Sequence, residues 1–71
     1  MTKETFIEKL LEKGYVQENP NYYSRCWGKS GGDMEYVFTH HLTYSKEHSD
    51  PDEEGWTVQC ADFEELSDWA F

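Results

Sequence analysis

The chain has 71 residues, in which 15 Asp and Glu residues face 6 Lys and Arg residues, so its formal net charge is −9 at pH 7. A chain of this length forms one domain, because domains typically need about 100 residues each. Six bases among fifteen acids cannot form the cationic stripe that binds phosphates, which excludes direct binding to nucleic acid and to anionic membrane surfaces. Aromatic residues make up 17% of the chain, a share that predicts a folded protein in spite of the charge.

The first residues carry the pattern of an amphipathic helix. Thr2 is a suitable N-cap, and Gly14 can adopt the left-handed conformation that ends a helix. Between them, apolar side chains recur at helical spacing at Phe6, Ile7, Leu10 and Leu11. We therefore predict a helix over residues 3–13.

The next segment predicts the first strand of an antiparallel sheet. Residues 14–16 can form a short extended piece, and Asn19-Pro20-Asn21 is typical of a turn. Residues 22–29 are then predicted as a strand. The loop-forming residues 30–33 predict that the chain returns antiparallel to this strand.

A second and a third strand follow. Residues 36–44 alternate in the manner of a central strand, which places one set of side chains on one face, namely Tyr36, Phe38, His40, Leu42 and Tyr44. Residues 46–55 contain no apolar side chain and predict an exposed loop. Residues 56–61 then return to the sheet as the third strand.

The C-terminal residues predict a short second helix. Asp62 followed by Glu65 resembles a capping box, and apolar side chains recur at helical spacing at Phe63, Leu66, Trp69 and Ala70. The expected fold is a single α+β domain over residues 1–71, with an N-terminal helix, a three-stranded antiparallel sheet and a short C-terminal helix. Helices on one side would leave the other sheet face open to water or to a partner.

Charge is distributed unevenly along the chain. Residues 1–46 carry six acidic and six basic side chains, whereas residues 47–71 carry nine acidic side chains and no base. Such segregation costs stability through self-repulsion, and solubility alone does not require it. Two interpretations stay open: a solvated surface whose acids favour the helix N-terminus, or a negative surface that binds a basic one. In the second interpretation the partner-binding residues are Asp50, Asp52, Glu53, Glu54, Glu64, Glu65 and Asp68.

The sequence carries no pattern of an enzyme or of a metal site. It contains no nucleophile elbow and no glycine-rich phosphate loop, and so small a chain can hardly enclose a pocket that excludes water. The cysteines and histidines lack zinc-ligand spacing; they are Cys26, Cys60, His40, His41 and His48. We predict a non-enzymatic protein with no cofactor and no metal, and with reduced thiols.

The base-free residues 47–71 close with Val58-Gln59-Cys60-Ala61-Asp62-Phe63-Glu64-Glu65-Leu66-Ser67-Asp68-Trp69, a strand that runs into an acidic helix. In length and in this acidic ending the chain resembles the class of small acidic bacteriophage proteins that block host defences, which includes anti-CRISPR and anti-restriction inhibitors and DNA mimics. The resemblance implies an inhibitor of a larger host protein with a basic groove, such as a CRISPR effector, and it allows a homodimer. With an acid at Glu4 and no signal peptide, we expect a whole small gene product in the cytoplasm of the host cell.

An alternative function uses the sheet and not the acids. A structural or regulatory accessory protein of a phage would pair with its partner through the open sheet face or an edge strand. In that case the acids would only keep the protein soluble, and the contact residues would be Tyr22, Tyr23, Trp27 and Thr39.

Overall fold

A computed structural model describes residues 1–27, 32–50 and 52–71 of the chain, without the side chain of Trp27. Two helices flank five strands within these residues. The elements in chain order are α1 (Lys3–Glu12), β1 (Val16–Asn19), β2 (Tyr22–Trp27), β3 (Asp33–Phe38), β4 (Thr43–Glu47), β5 (Trp56–Gln59) and α2 (Phe63–Ala70). The α+β class and the two terminal helices are confirmed, whereas the prediction of three strands is wrong.

The described strands form one five-stranded antiparallel sheet in the order β1-β2-β3-β4-β5, so each strand pairs with the next one in the chain. Of the extended piece predicted at residues 14–16, only Val16 is in a strand: Gly14 lies in the turn after α1, and β1 begins at Val16 as an edge strand. The predicted turn between β1 and β2 is confirmed, and the Asn21 amide donates to the side-chain oxygen of Asn19 at 3.0 Å. Residues 28–29 of the predicted first strand and residues 30–31 of the predicted loop lie outside the described part of the chain.

The predicted central strand over residues 36–44 is wrong, because this segment folds into a hairpin. Phe38 pairs with Thr43, so residues 39–42 form the connection between β3 and β4. Leu42 adopts a left-handed φ of 51°, and its carbonyl accepts a hydrogen bond from the Cys60 amide at 2.8 Å. The turn reverses the inside-outside pattern, so that Tyr36 and Phe38 lie on one face and Tyr44 on the other.

The two helices begin and end largely as their sequences predict. Thr2 caps α1 by accepting a hydrogen bond from the Thr5 amide at 3.2 Å, and Gly14 follows the helix with a φ of 94°. Asp62 caps α2 by accepting from the Glu65 amide at 2.9 Å. The Glu65 carboxylate reaches back to the Ala61 amide, so the reciprocal half of the predicted capping box forms one residue earlier than expected.

The hydrophobic core lies between the helices and one face of the sheet. Its buried residues come from both helices, from the strands and from the segments that follow α1 and β5, and they are Phe6, Leu10, Tyr15, Tyr23, Val37, Tyr44, Cys60, Leu66 and Ala70. Because side chains alternate along a strand, the intervening residues lie on the opposite face, which we call the open face. Its central residues are Val16, Tyr22, Ser24, Cys26, Met34, Tyr36, Phe38, Thr43, Ser45 and Glu47.

Candidate functional site

Four of the seven predicted partner-binding carboxylates lie on the loop that joins β4 to β5. All four are exposed, and we call Asp50, Asp52, Glu53 and Glu54 the acidic loop. Two hydrogen bonds to Asp50 hold the loop in a tight turn. The Asp50 carboxylate accepts one from the Asp52 amide at 2.9 Å, and the Asp50 backbone carbonyl accepts one from the Glu53 amide at 3.0 Å. Gly55 ends the loop close to β4, where a Cβ atom would overlap the carbonyl oxygen of Lys46. The predicted loop is confirmed for residues 48–50 and 52–55, whereas Lys46 and Glu47 belong to β4 and residue 51 lies outside the described part of the chain.

The other three carboxylates lie on α2, and all three are exposed. Glu64 pairs with the N-terminal ammonium group of Met1 at 2.6 Å. One carboxylate oxygen of Glu65 accepts the hydrogen bond from the Ala61 amide described above. Asp68 has no hydrogen bond or ion pair to any of the described residues. A binding partner would therefore compete with existing contacts at Glu64 and Glu65, but with none from the described residues at Asp68.

The seven carboxylates form two groups, not one cluster. The acidic loop lies at the start of β5, whereas α2 begins beyond the end of that strand, a separation of about 13 Å for four strand residues. Helix α2 runs back along the sheet and packs against β4. The carbonyl of Ala70, the last residue of α2, accepts a hydrogen bond from Arg25. Arg25 lies in the same cross-strand row as Trp56, which begins β5. Asp68 therefore lies nearer than Glu64 to the level of the acidic loop.

His48 connects the acidic loop to the start of β3. Its Nδ1 atom lies 3.3 Å from a carboxylate oxygen of Asp33 and 3.1 Å from one of Glu53. Nδ1 makes no hydrogen bond to the described residues, and these two contacts are ion pairs only when the imidazole is protonated. The His48 ring also packs against Trp56, with 5.5 Å between ring centroids. These contacts give Glu53 a role in positioning the loop.

A buried polar cluster, which the sequence did not reveal, lies between the sheet and the helices. Arg25 and Glu35 are paired across β2 and β3, with 2.8 Å between the guanidinium Nη2 and the carboxylate Oε1 atoms. The second oxygen of Glu35 accepts a hydrogen bond from the Tyr44 hydroxyl group at 2.6 Å. It also lies 3.4 Å from the Tyr15 hydroxyl oxygen, whose shorter hydrogen bond, at 2.9 Å, is to the Ala70 carbonyl. Only 7% of the Glu35 side chain is exposed, so its charge depends on these partners.

Arg25 also joins the ends of both helices. Its guanidinium group donates to the carbonyl of Lys13, just after α1, at 2.8 Å and to the carbonyl of Ala70, at the end of α2, at 3.3 Å. Both helix ends carry partial negative charge, which a cation stabilises. The guanidinium carbon lies 4.3 Å from the centre of the Tyr15 ring, within the range of a cation–π contact. The cluster holds the two helices and the sheet together, so we assign it to stability.

The buried tyrosines of this cluster predict a loss of stability at alkaline pH. Burial, reinforced by the Glu35 charge, raises the pKa of Tyr15 and of Tyr44 far above the usual value of about 10. Below pH of about 10 both folded and unfolded tyrosines are protonated; above it, the unfolded chain loses protons that the folded chain retains. The free energy of unfolding should therefore fall as the pH rises above about 10. Urea denaturation from pH 8 to 11 measures this decline.

The matched control is Tyr44→Phe, which removes one of the two hydroxyl groups but keeps the ring. Its free energy of unfolding should be lower at neutral pH, because Glu35 loses a hydrogen bond, but it should decline less steeply with pH. Equal slopes for the two proteins would contradict the assignment of this pH dependence to the cluster.

The open face carries an exposed aromatic cluster. The rings of Tyr22 and Tyr36 stack with centroids 5.9 Å apart and planes 8° apart, and Phe38 lies 4.8 Å from Tyr22. Beside them is a shallow depression of about 510 Å³ that is lined by Asn19, Asn21, Tyr22, Phe38, His40 and His41. Of the residues expected to pair through the sheet face, Tyr22 lies here, but Tyr23 and Thr39 are buried at 1% and 3% exposure. The side chain of Trp27 lies outside the described part of the structure.

The cysteines and histidines do not assemble into one site. Cys26 is exposed on the open face, whereas Cys60 is buried in the core, and both are free thiols. Burial, followed by the charges of Glu65 and Asp62, raises the pKa of the Cys60 thiol. Among residues 1–27, 32–50 and 52–71, no group of three or more His, Cys, Asp or Glu side chains is arranged to hold a metal ion.

Neither of the two helices in the described residues has the length and apolar character needed to cross a membrane. Comparison of the chain with protein-family models, with curated proteins and with solved structures finds no match.

Proposed function

We propose that this protein is a non-enzymatic inhibitor that binds a basic nucleic-acid-binding surface of a larger host defence protein, such as a CRISPR effector. The carboxylates of the acidic loop and of α2 make the charged contacts. The observation that carries the proposal is the distribution of charge: nine acids and no base after residue 46, with the seven proposed contact residues all exposed. The proposal is the anti-CRISPR or similar anti-defence activity that the resemblance to small acidic phage proteins implies.

Physical chemistry supports such contacts. Carboxylates can take the positions of phosphate oxygens in a groove lined by Arg and Lys, and an arginine can hold a carboxylate through two parallel hydrogen bonds. Long-range attraction accelerates association but acts only over about 8 Å at physiological salt. The two groups of carboxylates would therefore contact separate parts of the groove, and each group would contribute to affinity on its own.

Glu54 and Asp68 are the best residues for a test, because neither makes a hydrogen bond or ion pair to the described residues and each represents one group. Glu65 is unsuitable, since its carboxylate also holds the Ala61 amide. The variant Glu54→Lys/Asp68→Lys changes the net charge by four. Its control, Glu8→Lys/Glu12→Lys, makes the same change on the exposed side of α1.

The assay measures DNA cleavage by a panel of purified CRISPR effectors and restriction enzymes, at low and high salt, with circular dichroism to verify the fold. For any nuclease that the wild-type protein inhibits, the inhibition constant should rise about tenfold or more in Glu54→Lys/Asp68→Lys and about twofold or less in the control. Inhibition should also weaken as salt rises. If the whole panel is uninhibited, or if both variants inhibit as the wild-type protein does, the acids serve only solubility and the proposal is rejected.

A further inference from the structure

The open face carries two carboxylates beside its stacked tyrosines. The Glu47 carboxylate accepts a hydrogen bond from the Tyr36 hydroxyl group at 3.5 Å. The Glu18 carboxylate accepts one from the Ser24 hydroxyl group at 2.7 Å, and Ser24 is the cross-strand neighbour of Tyr36. Burial first, and then the charges of both carboxylates, raise the pKa values of the Tyr22 and Tyr36 hydroxyl groups. The two carboxylates therefore lie on either side of one aromatic pair.

No lysine or arginine occupies an open-face position on the described strands, so these two charges are uncompensated there. Arg25 and Lys46 lie in the row that faces the helices, where Lys46 sits 5.4 Å from the centre of the Trp56 ring. The other described bases belong to α1 and its end, and they are Lys3, Lys9 and Lys13. Of these, Lys3 donates to the Asn21 side chain at 3.3 Å, in the turn between β1 and β2.

The pair of rings is itself accessible. Tyr22, Tyr36 and Phe38 are all partly exposed. Among the described residues each carboxylate uses one oxygen in a hydrogen bond, and its second oxygen can accept from another donor. A flat aromatic surface flanked by two carboxylate acceptors matches a planar cation with several N–H donors. Guanidinium has that shape, stacks on aromatic rings and is more weakly hydrated than ammonium.

We infer that the Tyr22–Tyr36 pair, with Glu18 and Glu47, forms a binding site for an arginine side chain of a partner protein. The guanidinium group stacks on a partly exposed ring of the Tyr22–Tyr36 pair. It donates hydrogen bonds to the second carboxylate oxygens of Glu18 and Glu47. The depression beside Phe38 gives room for the residues that flank this arginine. This surface is separate from the acidic loop and α2, and the inference does not rest on the proposed inhibition.

The test uses three short peptides that differ in one side chain. They are Gly-Gly-Xaa-Gly-Gly with Xaa as arginine, lysine or citrulline, which has nearly the shape of arginine but no charge. Nuclear magnetic resonance titration of the ¹⁵N-labelled chain reads out the position of binding. The arginine peptide should bind with a dissociation constant of about 1 mM and shift the signals of Tyr22, Tyr36 and Phe38, with weaker binding by lysine and none by citrulline.

The variant Glu18→Gln/Glu47→Gln keeps side-chain size but removes both negative charges and one acceptor oxygen from each side chain, and it should weaken binding of the arginine peptide about fivefold or more. The control Glu8→Gln/Glu12→Gln has the same net charge and should change affinity about twofold or less. Retained binding in Glu54→Lys/Asp68→Lys would support a site distinct from the proposed inhibitory contacts. Equal binding by lysine or citrulline, equal losses in the two glutamine variants, or shifts confined to the acidic loop and α2 would overturn the inference.

Discussion

Replacement of Arg25 by methionine is expected to lower the free energy of unfolding by about 3–5 kcal/mol. The substitution removes the ion pair to Glu35 and leaves that carboxylate buried with only tyrosine hydroxyl groups as partners. It also leaves the carbonyls of Lys13 and Ala70 without the guanidinium donor. A domain of this length has a total stability of about 4–11 kcal/mol, so this loss would remove a large fraction of the stability of the domain. Urea denaturation followed by tryptophan fluorescence measures the loss.

The double variant Arg25→Met/Glu35→Leu separates the cost of an unpaired charge from the cost of lost packing. Replacing both members of a buried ion pair by apolar residues of similar size is often close to neutral, whereas removing one member is not. The double variant should therefore be more stable than Arg25→Met. If the two proteins unfold at the same urea concentration, Glu35 is not the source of the penalty.

Replacement of Phe6 by alanine is expected to cost about 3–5 kcal/mol, which again approaches the stability of the whole domain. Phe6 is fully buried on α1, and its ring lies 5.2 Å from that of Phe63 and 5.5 Å from that of Phe71. The alanine variant loses these contacts and leaves a cavity where the two helices meet. Thermal unfolding monitored by circular dichroism should show a large drop in the transition temperature.

The control for this prediction lies on the same helix. Leu11 is 52% exposed, so Leu11→Ala makes a comparable deletion in α1 without opening a cavity in the core. Its cost should remain within about 1 kcal/mol. Similar losses in the two variants would contradict the assignment of the cost to the packing of Phe6 against Phe63 and Phe71, since alanine is the better helix former at both positions.

The local features of this fold could be predicted from the sequence, because they depend on neighbouring residues. Thr2 and Asp62 cap the two helices, and Gly14 follows α1 with a positive φ, in each case for the reason that the residue type suggests. The hairpin at residues 39–42 was missed because it contains no Gly, Pro, Asn or Asp. Contacts distant in sequence hold this turn instead, including the bond from the Cys60 amide to the Leu42 carbonyl.

The two charged surfaces differ in how far the sequence could locate them. The acidic loop and the acids of α2 are evident from the distribution of acids along the chain, and the strand predicted between them already separates the two groups. The pairing of Arg25 with Glu35 and the grouping of Glu18 with Glu47 depend on the register of β1 to β4. The turn at residues 39–42 determines only the register of β3 with β4, and therefore the face on which Glu47 lies, since a shift of one residue exchanges the two faces of a strand.

The strand order also bears on how quickly the chain reaches its native state. Each strand pairs with its neighbour along the chain, so the sheet can grow by the successive closure of short loops, each at small entropic cost. Folding rates rise as the mean sequence separation of contacting residues falls. The packing of α2 against α1 and β4, and the bonds from Tyr15 and Arg25 to the Ala70 carbonyl, join distant parts of the chain, and these contacts can follow once the sheet is in place. A simple meander thus lets a small, highly charged polypeptide fold rapidly, with little time for its unpaired edges to aggregate.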